Sequence, residues 1–277
     1  MHSKPFTFYR SLRCYFRLAL LFICFLVYVF ILILIFLALI FQKADYRKRI
    51  FSRVTQLFDC CLLWIMNIKT KVLGPHTLFS SDGQGAFLVS NHLGYVDGLV
   101  LGALFPVVYV GKAEMKKWPL IGLMSEISGT IFIDRQKKNH IAEYIEVMAG
   151  VLQGGANILF FPEGTSTNGE MLLPFKSSFF EAPLMTAAPV APISLIYRSI
   201  DGAPVTKENR DSVYWYGDMT FADHLFRLLF FDRIEVEVKI HPPIILKETQ
   251  DKNALRKRLS ELANEAIRKD IYLIKPS

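Results

Sequence analysis

A histidine and an aspartate five residues apart could form a proton-transferring pair. They lie in Asn91-His92-Leu93-Gly94-Tyr95-Val96-Asp97. On a continuous helix, residues i and i+5 point about 140° apart, so the pair needs a turn, which Gly94 permits. In such a turn Asp97 would hold one imidazole nitrogen protonated and leave the other as a general base. Alternatively, Asp97 caps a helix that begins at Gly98, and His92 is an ordinary loop histidine.

An arginine follows the next candidate strand. Arg135 comes directly after Ile131-Phe132-Ile133-Asp134. Its planar guanidinium is suited to binding a phosphate through two parallel hydrogen bonds. The alternative is an ion pair between Arg135 and Asp134 or another nearby carboxylate.

An acidic, glycine-containing turn is the third candidate site. It has the sequence Phe161-Pro162-Glu163-Gly164-Thr165-Ser166-Thr167. Gly164 would let the backbone approach a ligand closely, and Thr165 with nearby amides could donate to anionic oxygens. Glu163 could bind a substrate hydroxyl or Arg135. An ordinary turn would serve the fold equally well.

These candidate residues lie at the ends of short apolar segments that alternate with helix-like ones. The predicted strands are Ala86–Val89, Val107–Val110, Ile131–Ile133, Ile158–Phe161, Val190–Ile196 and Ile234–Ile240. The predicted helices are Gly98–Leu104, Pro119–Ile127, Asn139–Leu152, Ser178–Thr186 and Asp251–Asp270. This alternation predicts an α/β fold with a mostly parallel central sheet flanked by helices. Ligand sites in such sheets lie at the carboxyl ends of the strands.

The N-terminal segment predicts a membrane anchor. Leu18 to Phe41 contains no charged side chain, and as a helix it would be about 36 Å long, enough to cross a ~30 Å hydrocarbon layer. It is too long for a secretory signal, whose apolar stretch is about 7–15 residues. A second apolar or amphipathic helix is predicted over residues 51–68. We therefore divide the chain into an anchor, residues 1–70, and a catalytic domain, residues 71–277.

The positive charge of the chain is concentrated in the anchor. Residues 1–75 carry 11 Lys and Arg against two Asp and Glu, whereas residues 76–277 carry 21 against 23. This distribution excludes a nucleic-acid-binding protein and favours contact between the anchor and anionic lipid headgroups. Cations flank the apolar run on both sides, so the positive-inside rule sets no orientation. A single crossing, a hairpin and a second helix within one leaflet all remain open.

Lysines and a tryptophan also occur together in Lys112–Leu120. The segment is either a solvated helix start or an interfacial contact through Trp118 at headgroup depth.

In their order along the chain, the motifs resemble those of the glycerolipid acyltransferase family, the 1-acylglycerol-3-phosphate acyltransferases and their relatives. That family has Asn-His-x4-Asp, Phe-Ile-Asp-Arg, Phe-Pro-Glu-Gly-Thr and a Val-x-Pro-Ile-like strand, which here is Val190–Ile193. The resemblance covers roughly residues 70–245. It implies an α/β acyltransferase domain on a membrane-seated helical motif, with His92 and Asp97 as the catalytic pair. It also implies that the acceptor and its phosphate are bound by Arg135, Glu163, Gly164 and Thr165.

The expected reaction is transfer of a fatty acyl group to the free hydroxyl of a lysophospholipid at the membrane. The acyl donor would be acyl-CoA or acyl-carrier protein, the first-choice acceptor 1-acylglycerol-3-phosphate, and no metal or other cofactor is expected. Backbone amides near Gly164 are expected to stabilise the oxyanion. The catalytic domain is expected on the cytoplasmic face. Alternatives are another lysolipid acceptor (lysophosphatidylcholine or lyso-ornithine lipid), a thioester hydrolase, and a non-catalytic lipid-binding protein.

Overall fold

The computed structural model describes residues 4–75, 83–118, 121–134, 138–246 and 251–271. In these ranges the α-helices are α1 (Lys4–Ala38), α2 (Ala44–Met66), α3 (Tyr95–Leu104), α4 (Ile121–Ile127), α5 (Ile141–Gln153), α6 (Glu181–Thr186), α7 (Phe221–Leu229) and α8 (Lys252–Ile271). The strands are β1 (Ile68–Leu73), β2 (Phe87–Ser90), β3 (Val107–Lys112), β4 (Ile131–Ile133), β5 (Asn157–Phe160), β6 (Val190–Ile200), β7 (Ala203–Pro204) and β8 (Ile234–Ile240).

The strands form one sheet in the order β1-β8-β6-β2-β5-β3-β4, and β7 pairs with β6. Neighbours along this order are parallel except β6 and β8, which are antiparallel. The prediction of an α/β fold with a mostly parallel sheet is therefore confirmed.

Helices cover both faces of the sheet because its central strands are apolar on both faces. All four residues of β2 are buried. Phe87 and Val89 belong to the core shared with α5 and α8, whereas Leu88 belongs to the core shared with α3 and α7. The continuous apolar character of this strand is typical of a parallel sheet between two helical layers.

Several element boundaries differ from the predictions. The predicted helix over 51–68 ends at Met66, because Asn67 adopts a left-handed conformation with φ 54°, and Ile68 instead begins β1. The predicted division at residue 70 therefore falls inside a strand, which pairs with β8. Three other elements are longer than predicted: α3 begins at Tyr95, β3 continues to Lys112 and β6 continues to Ile200.

Most of the apolar N-terminal segment lies in α1, which begins and ends earlier than the predicted 18–41. Phe8–Ala38 is long and apolar enough to cross a membrane; its most apolar window has a mean hydropathy of 3.4, and only 11% of that window is buried. Because most of this apolar surface faces away from the protein, α1 is suited to membrane association. How deeply it enters the bilayer stays a prediction.

The arginines before the apolar run contact the catalytic domain. Arg17 and Arg13 donate to carbonyl oxygens at the C-terminal end of α7, at 3.1 and 2.6 Å. Arg10 forms an ion pair with Asp201 at 3.1 Å. Arg13 and Arg17 thus bind carbonyl groups that a helix end leaves without an intrahelical donor, and all three arginines attach the start of α1 to the domain.

Candidate active site

The candidate residues that the structure describes, His92, Asp97, Glu163, Gly164 and Thr165, lie at one edge of the sheet, where β2, β3, β4 and β5 end. Because these strands are parallel, the segments that follow them lie side by side around a cavity of about 540 Å³. Its walls include apolar side chains such as Ile133 and Phe179. Its polar lining includes His92, Lys112, Asp134, Thr165, Lys176 and Ser177.

Asn91 fixes the start of the histidine loop against β6. The Asn91 amide nitrogen donates to the Leu195 carbonyl at 2.9 Å, and the Leu195 N–H donates to the Asn91 amide oxygen at 2.8 Å. Asn91 is buried. Its side chain thus continues the pairing of β2 with β6 after the β2 backbone has turned away.

His92 and Asp97 are in contact. His92 Nδ1 lies 2.9 Å from Asp97 Oδ2, and the same oxygen accepts the Gly94 N–H at 2.8 Å. The Asp97 side chain is fully buried, while that of His92 is 22% exposed and lines the cavity. Asp97 is the third residue of α3, so it binds the amide that precedes the helix and also orients the imidazole. The alternative that Asp97 caps a helix beginning at Gly98 is therefore wrong in its boundary, because the helix begins at Tyr95 and Asp97 lies inside its first turn.

The turn between His92 and Asp97 needs a glycine at position 94, because the backbone there lies directly against Trp215. A Cβ atom at Gly94 would come 2.8 Å from the Trp215 nitrogen, closer than real contacts allow. The Trp215 N–H donates to the Leu93 carbonyl at 2.8 Å. A larger residue at position 94 would push apart the loop that positions His92.

The Phe161–Thr167 segment holds His92 on two sides. The Phe161 ring stacks on the imidazole with 4.0 Å between ring centres and 16° between planes. The Thr167 N–H donates to the His92 carbonyl at 2.9 Å. Ring and backbone of His92 are thus fixed by the segment that the sequence suggested as a ligand-binding turn.

Glu163 lies beneath the histidine loop. Its two carboxylate oxygens accept the N–H groups of His92 (2.8 Å) and Leu173 (3.0 Å). Only 4% of the residue is exposed. Burial raises the pKa of Glu163 to about 7, although the two backbone hydrogen bonds act in the opposite direction. Glu163 thus connects its own segment to the backbone at His92 and at Leu173, and it is not part of the cavity lining.

Gly164 and Thr165 lie at the cavity wall. Gly164 has φ +77°, and a Cβ atom there would come 2.7 Å from Lys176 Nζ. The Gly164 N–H donates to the Phe161 carbonyl at 3.0 Å, so the expected oxyanion donor near Gly164 would be a neighbouring amide. Thr165 is exposed at the cavity and is positioned to meet a ligand.

Arg135 lies outside the described residues, and its binding role stays a prediction. The preceding Asp134 lines the cavity, so the chain reaches the site at the expected place. Two lysines in the lining, Lys112 and Lys176, were not predicted as binding residues. Lys112 ends β3, and this position at the end of a strand could have indicated a binding residue. Lys176 follows an irregular segment whose sequence gave no such indication.

Comparisons with known proteins identify the family of the chain. The family model described as Acyltransferase matches residues 69–196. The lyso-ornithine lipid O-acyltransferase of Pseudomonas aeruginosa is 34% identical over 68% of this chain and 69% of its own length. The corresponding protein of Rhizobium meliloti is 32% identical over 66% of this chain, which spans 63% of that relative. The 1-acyl-sn-glycerol-3-phosphate acyltransferase of Neisseria gonorrhoeae is 27% identical over 68% of this chain and 71% of its own length.

One solved structure has the same fold over nearly the whole chain. The 1-acyl-sn-glycerophosphate (LPA) acyltransferase PlsC from Thermotoga maritima matches with a TM-score of 0.65 and 17% identity, covering 97% of this chain and 99% of that one. Fold, family model and sequence relatives therefore agree. The chain belongs to the acyltransferase family of enzymes, together with lyso-ornithine lipid and 1-acylglycerol-3-phosphate acyltransferases.

Proposed function

We propose that the chain is a membrane-bound O-acyltransferase that moves a fatty acyl group from acyl-CoA or acyl-carrier protein to the hydroxyl of a lysolipid. The contact between His92 Nδ1 and the buried Asp97 carboxylate carries this proposal. In the tautomer that donates from Nδ1 to this carboxylate, Nε2 is the basic atom of a histidine that lines the cavity.

The reaction needs one proton transfer in each direction. His92 Nε2 takes the proton of the acceptor hydroxyl while the hydroxyl oxygen attacks the thioester carbonyl. The tetrahedral intermediate then expels the thiolate, which takes the proton back from His92, giving an ester and a free thiol. Asp97 stabilises the imidazolium between these two steps. The scheme needs no acyl-enzyme intermediate.

The charges at the cavity support a phosphorylated acceptor. Lys112 and Lys176 both line it, and we propose that Arg135, at the end of the adjacent strand, adds a guanidinium. Cations grouped beside a general base are suited to a phosphate near the reacting hydroxyl. We therefore propose 1-acylglycerol-3-phosphate as the acceptor and phosphatidic acid as the product, with Thr165 and Gly164 at the acceptor-binding wall.

Lyso-ornithine lipid is the second candidate acceptor. Four lyso-ornithine lipid O-acyltransferases are 30–34% identical to this chain, against 27% for the 1-acylglycerol-3-phosphate enzyme of Neisseria gonorrhoeae. The cavity also contains the Asp134 carboxylate. An ornithine headgroup carries both a carboxylate and an ammonium, which the lysines and Asp134 could bind separately.

The apolar surface of α1 supports reaction at a membrane, where a lysolipid acceptor resides. We propose that the catalytic domain lies on the cytoplasmic face, because acyl-CoA and acyl-carrier protein are cytosolic donors. Cysteine labelling of an introduced, exposed residue in intact cells would test this placement: reaction with an impermeant reagent from outside would refute it.

A lysolipid panel tests the proposed function. The full chain in detergent is incubated with each lysolipid and with acyl-CoA or acyl-carrier protein, and products are identified by mass. Phosphatidic acid from 1-acylglycerol-3-phosphate is the expected product; acylated ornithine lipid instead would select the second candidate. Thioester consumption that needs no lysolipid would show a hydrolase and contradict the proposal.

His92→Ala should remove turnover, and its matched control is His140→Ala. His140 is a half-exposed histidine paired with Glu143 on the surface, so its loss should leave turnover unchanged. Loss of activity in both variants would show that histidine replacement acts nonspecifically.

A further inference from the structure

We propose that Tyr197 is a positioning residue for the catalytic pair, and that its hydroxyl sets the orientation and charge of the Asp97 carboxylate that His92 depends on. The inference rests on the proposed function and extends it to a residue outside all of the sequence motifs. Tyr197 lies a hundred positions from Asp97 in the chain.

The sheet register brings Tyr197 under the catalytic loop. β2 ends at Ser90, which is paired with Ile193 of the parallel strand β6. β6 continues to Ile200, so its second half runs past the end of β2. Side chains two residues apart point to the same face of a strand, and Leu195 and Tyr197 succeed Ile193 at that spacing. Tyr197 therefore lies where the loop turns into α3.

The hydroxyl of Tyr197 contacts the oxygen of Asp97 that His92 does not use. It donates to Asp97 Oδ1 at 2.9 Å. The other oxygen, Oδ2, accepts His92 Nδ1 and the amides of Leu93 and Gly94. With donors on both oxygens, the carboxylate cannot rotate without losing hydrogen bonds on both sides.

Burial makes this contact strong. Asp97 is fully buried and Tyr197 is 3% exposed, so water does not replace the phenol as a donor. A hydrogen bond from a neutral donor to a buried carboxylate spreads its negative charge. Burial and the neighbouring carboxylate raise the pKa of Tyr197 well above its ordinary value, so the phenol keeps its proton and remains a donor throughout the working pH range.

The consequence for catalysis concerns how tightly the imidazole holds a proton. A carboxylate that shares its charge with Tyr197 stabilises the imidazolium enough for proton uptake but still allows proton return to the leaving thiolate. Without the phenol, the undiminished charge of Asp97 would hold the imidazolium proton more firmly.

Tyr197→Phe tests the proposal because it removes one oxygen atom and keeps the ring, which packs edge-on against Tyr214 at 5.3 Å. We expect kcat to fall about tenfold or more, as for the loss of a hydrogen bond to a charged group. The acceptor KM should stay within about twofold, because ground-state binding is unaffected. The acid limb of the pH profile of kcat/KM should move to higher pH by about one unit.

Ser199→Ala is the matched control on the same strand. Ser199 is a buried hydroxyl that donates to Glu235 at 2.7 Å, away from the cavity. Ser199→Ala should lose about as much thermal stability as Tyr197→Phe, while its pH profile of kcat/KM keeps the wild-type shape. If Tyr197→Phe leaves both kcat and the acid limb unchanged, or only lowers thermal stability as Ser199→Ala does, Tyr197 has a structural role and the proposal is wrong.

Site-specific 3-fluorotyrosine at position 197 covers the case in which the phenylalanine variant does not fold. 3-Fluorotyrosine has nearly the same shape as tyrosine and is a stronger hydrogen-bond donor. The acid limb of the kcat/KM profile should therefore move to lower pH. A shift to higher pH, or no shift, would contradict the proposal. In an Asp97→Asn background Tyr197→Phe should have little further effect on kcat. These results are distinct from failure of the proposed function, for which His92→Ala would have to remain active.

Discussion

Replacing Glu163 with glutamine should change how the stability of the catalytic domain depends on pH. The pKa of Glu163 is raised from 4.5 to about 7 by burial beneath the histidine loop. Folding therefore favours the protonated form. The contribution of this group to stability is complete below pH 4.5 and is lost as the pH rises through about 7.

The size of the effect follows from the difference in the pKa of Glu163 between the folded and unfolded states. At 1.36 kcal/mol per pKa unit, the change corresponds to roughly 3 kcal/mol between acidic and weakly basic pH. Glutamine does not titrate, so Glu163→Gln lacks this dependence. Its NH₂ group would also face either the His92 or the Leu173 N–H, and an unpaired buried amide costs about 1–3 kcal/mol at every pH.

The measurement is the urea midpoint of both proteins in detergent from pH 5 to pH 8. Glu163→Gln should be less stable than wild type at pH 5, and the deficit should shrink or reverse by pH 8. Glu146→Gln, at an exposed position on α5, should follow the wild-type curve. Parallel curves for wild type and Glu163→Gln would show that the two amide hydrogen bonds outweigh burial, and the reasoning would be refuted.

Two further substitutions test the cavity wall. Gly164→Ala would place a side chain at φ +77° and 2.7 Å from Lys176 Nζ, so we expect about 1–2 kcal/mol of strain. The variant should have a lower melting temperature and a raised acceptor KM. Wild-type values of both quantities would contradict the geometry. Arg135→Ala should raise the KM for a phosphorylated acceptor about tenfold with little change in kcat, as for loss of ground-state binding. An unchanged KM in steady-state assays would favour an uncharged or zwitterionic acceptor.

The sequence was informative where local chemistry determines structure. Short apolar runs predicted the central strands because both faces of a parallel sheet are buried, and Ile131–Ile133 and Ile234–Ile240 have the predicted boundaries. The spacing of five residues and the glycine between them predicted a turn that could bring His92 and Asp97 together. The structure places that pair as predicted, 2.9 Å apart.

The sequence was less informative where distant segments meet. β1 was not predicted, because its alternation Ile-Lys-Thr-Lys-Val-Leu is short and follows a helix directly. The position of Glu163 under His92 and the reach of Tyr197 to Asp97 depend on the register of parallel strands, which side-chain periodicity does not encode. The sequence predicted that the arginines of α1 contact lipid headgroups. Their partners at the end of α7 lie about 200 residues away in the chain, so the pattern of residues gave no sign of these contacts.

The most direct test of the central claim is turnover of His92→Ala in detergent with 1-acylglycerol-3-phosphate and acyl-CoA. We expect kcat to fall at least about a hundredfold, the range for loss of a general base. Melting temperature and recovery in the membrane fraction should match wild type, because the His92 side chain is partly exposed at the cavity and the apolar surface of α1 does not depend on it. Near-normal turnover by a folded, membrane-bound His92→Ala protein would contradict the account.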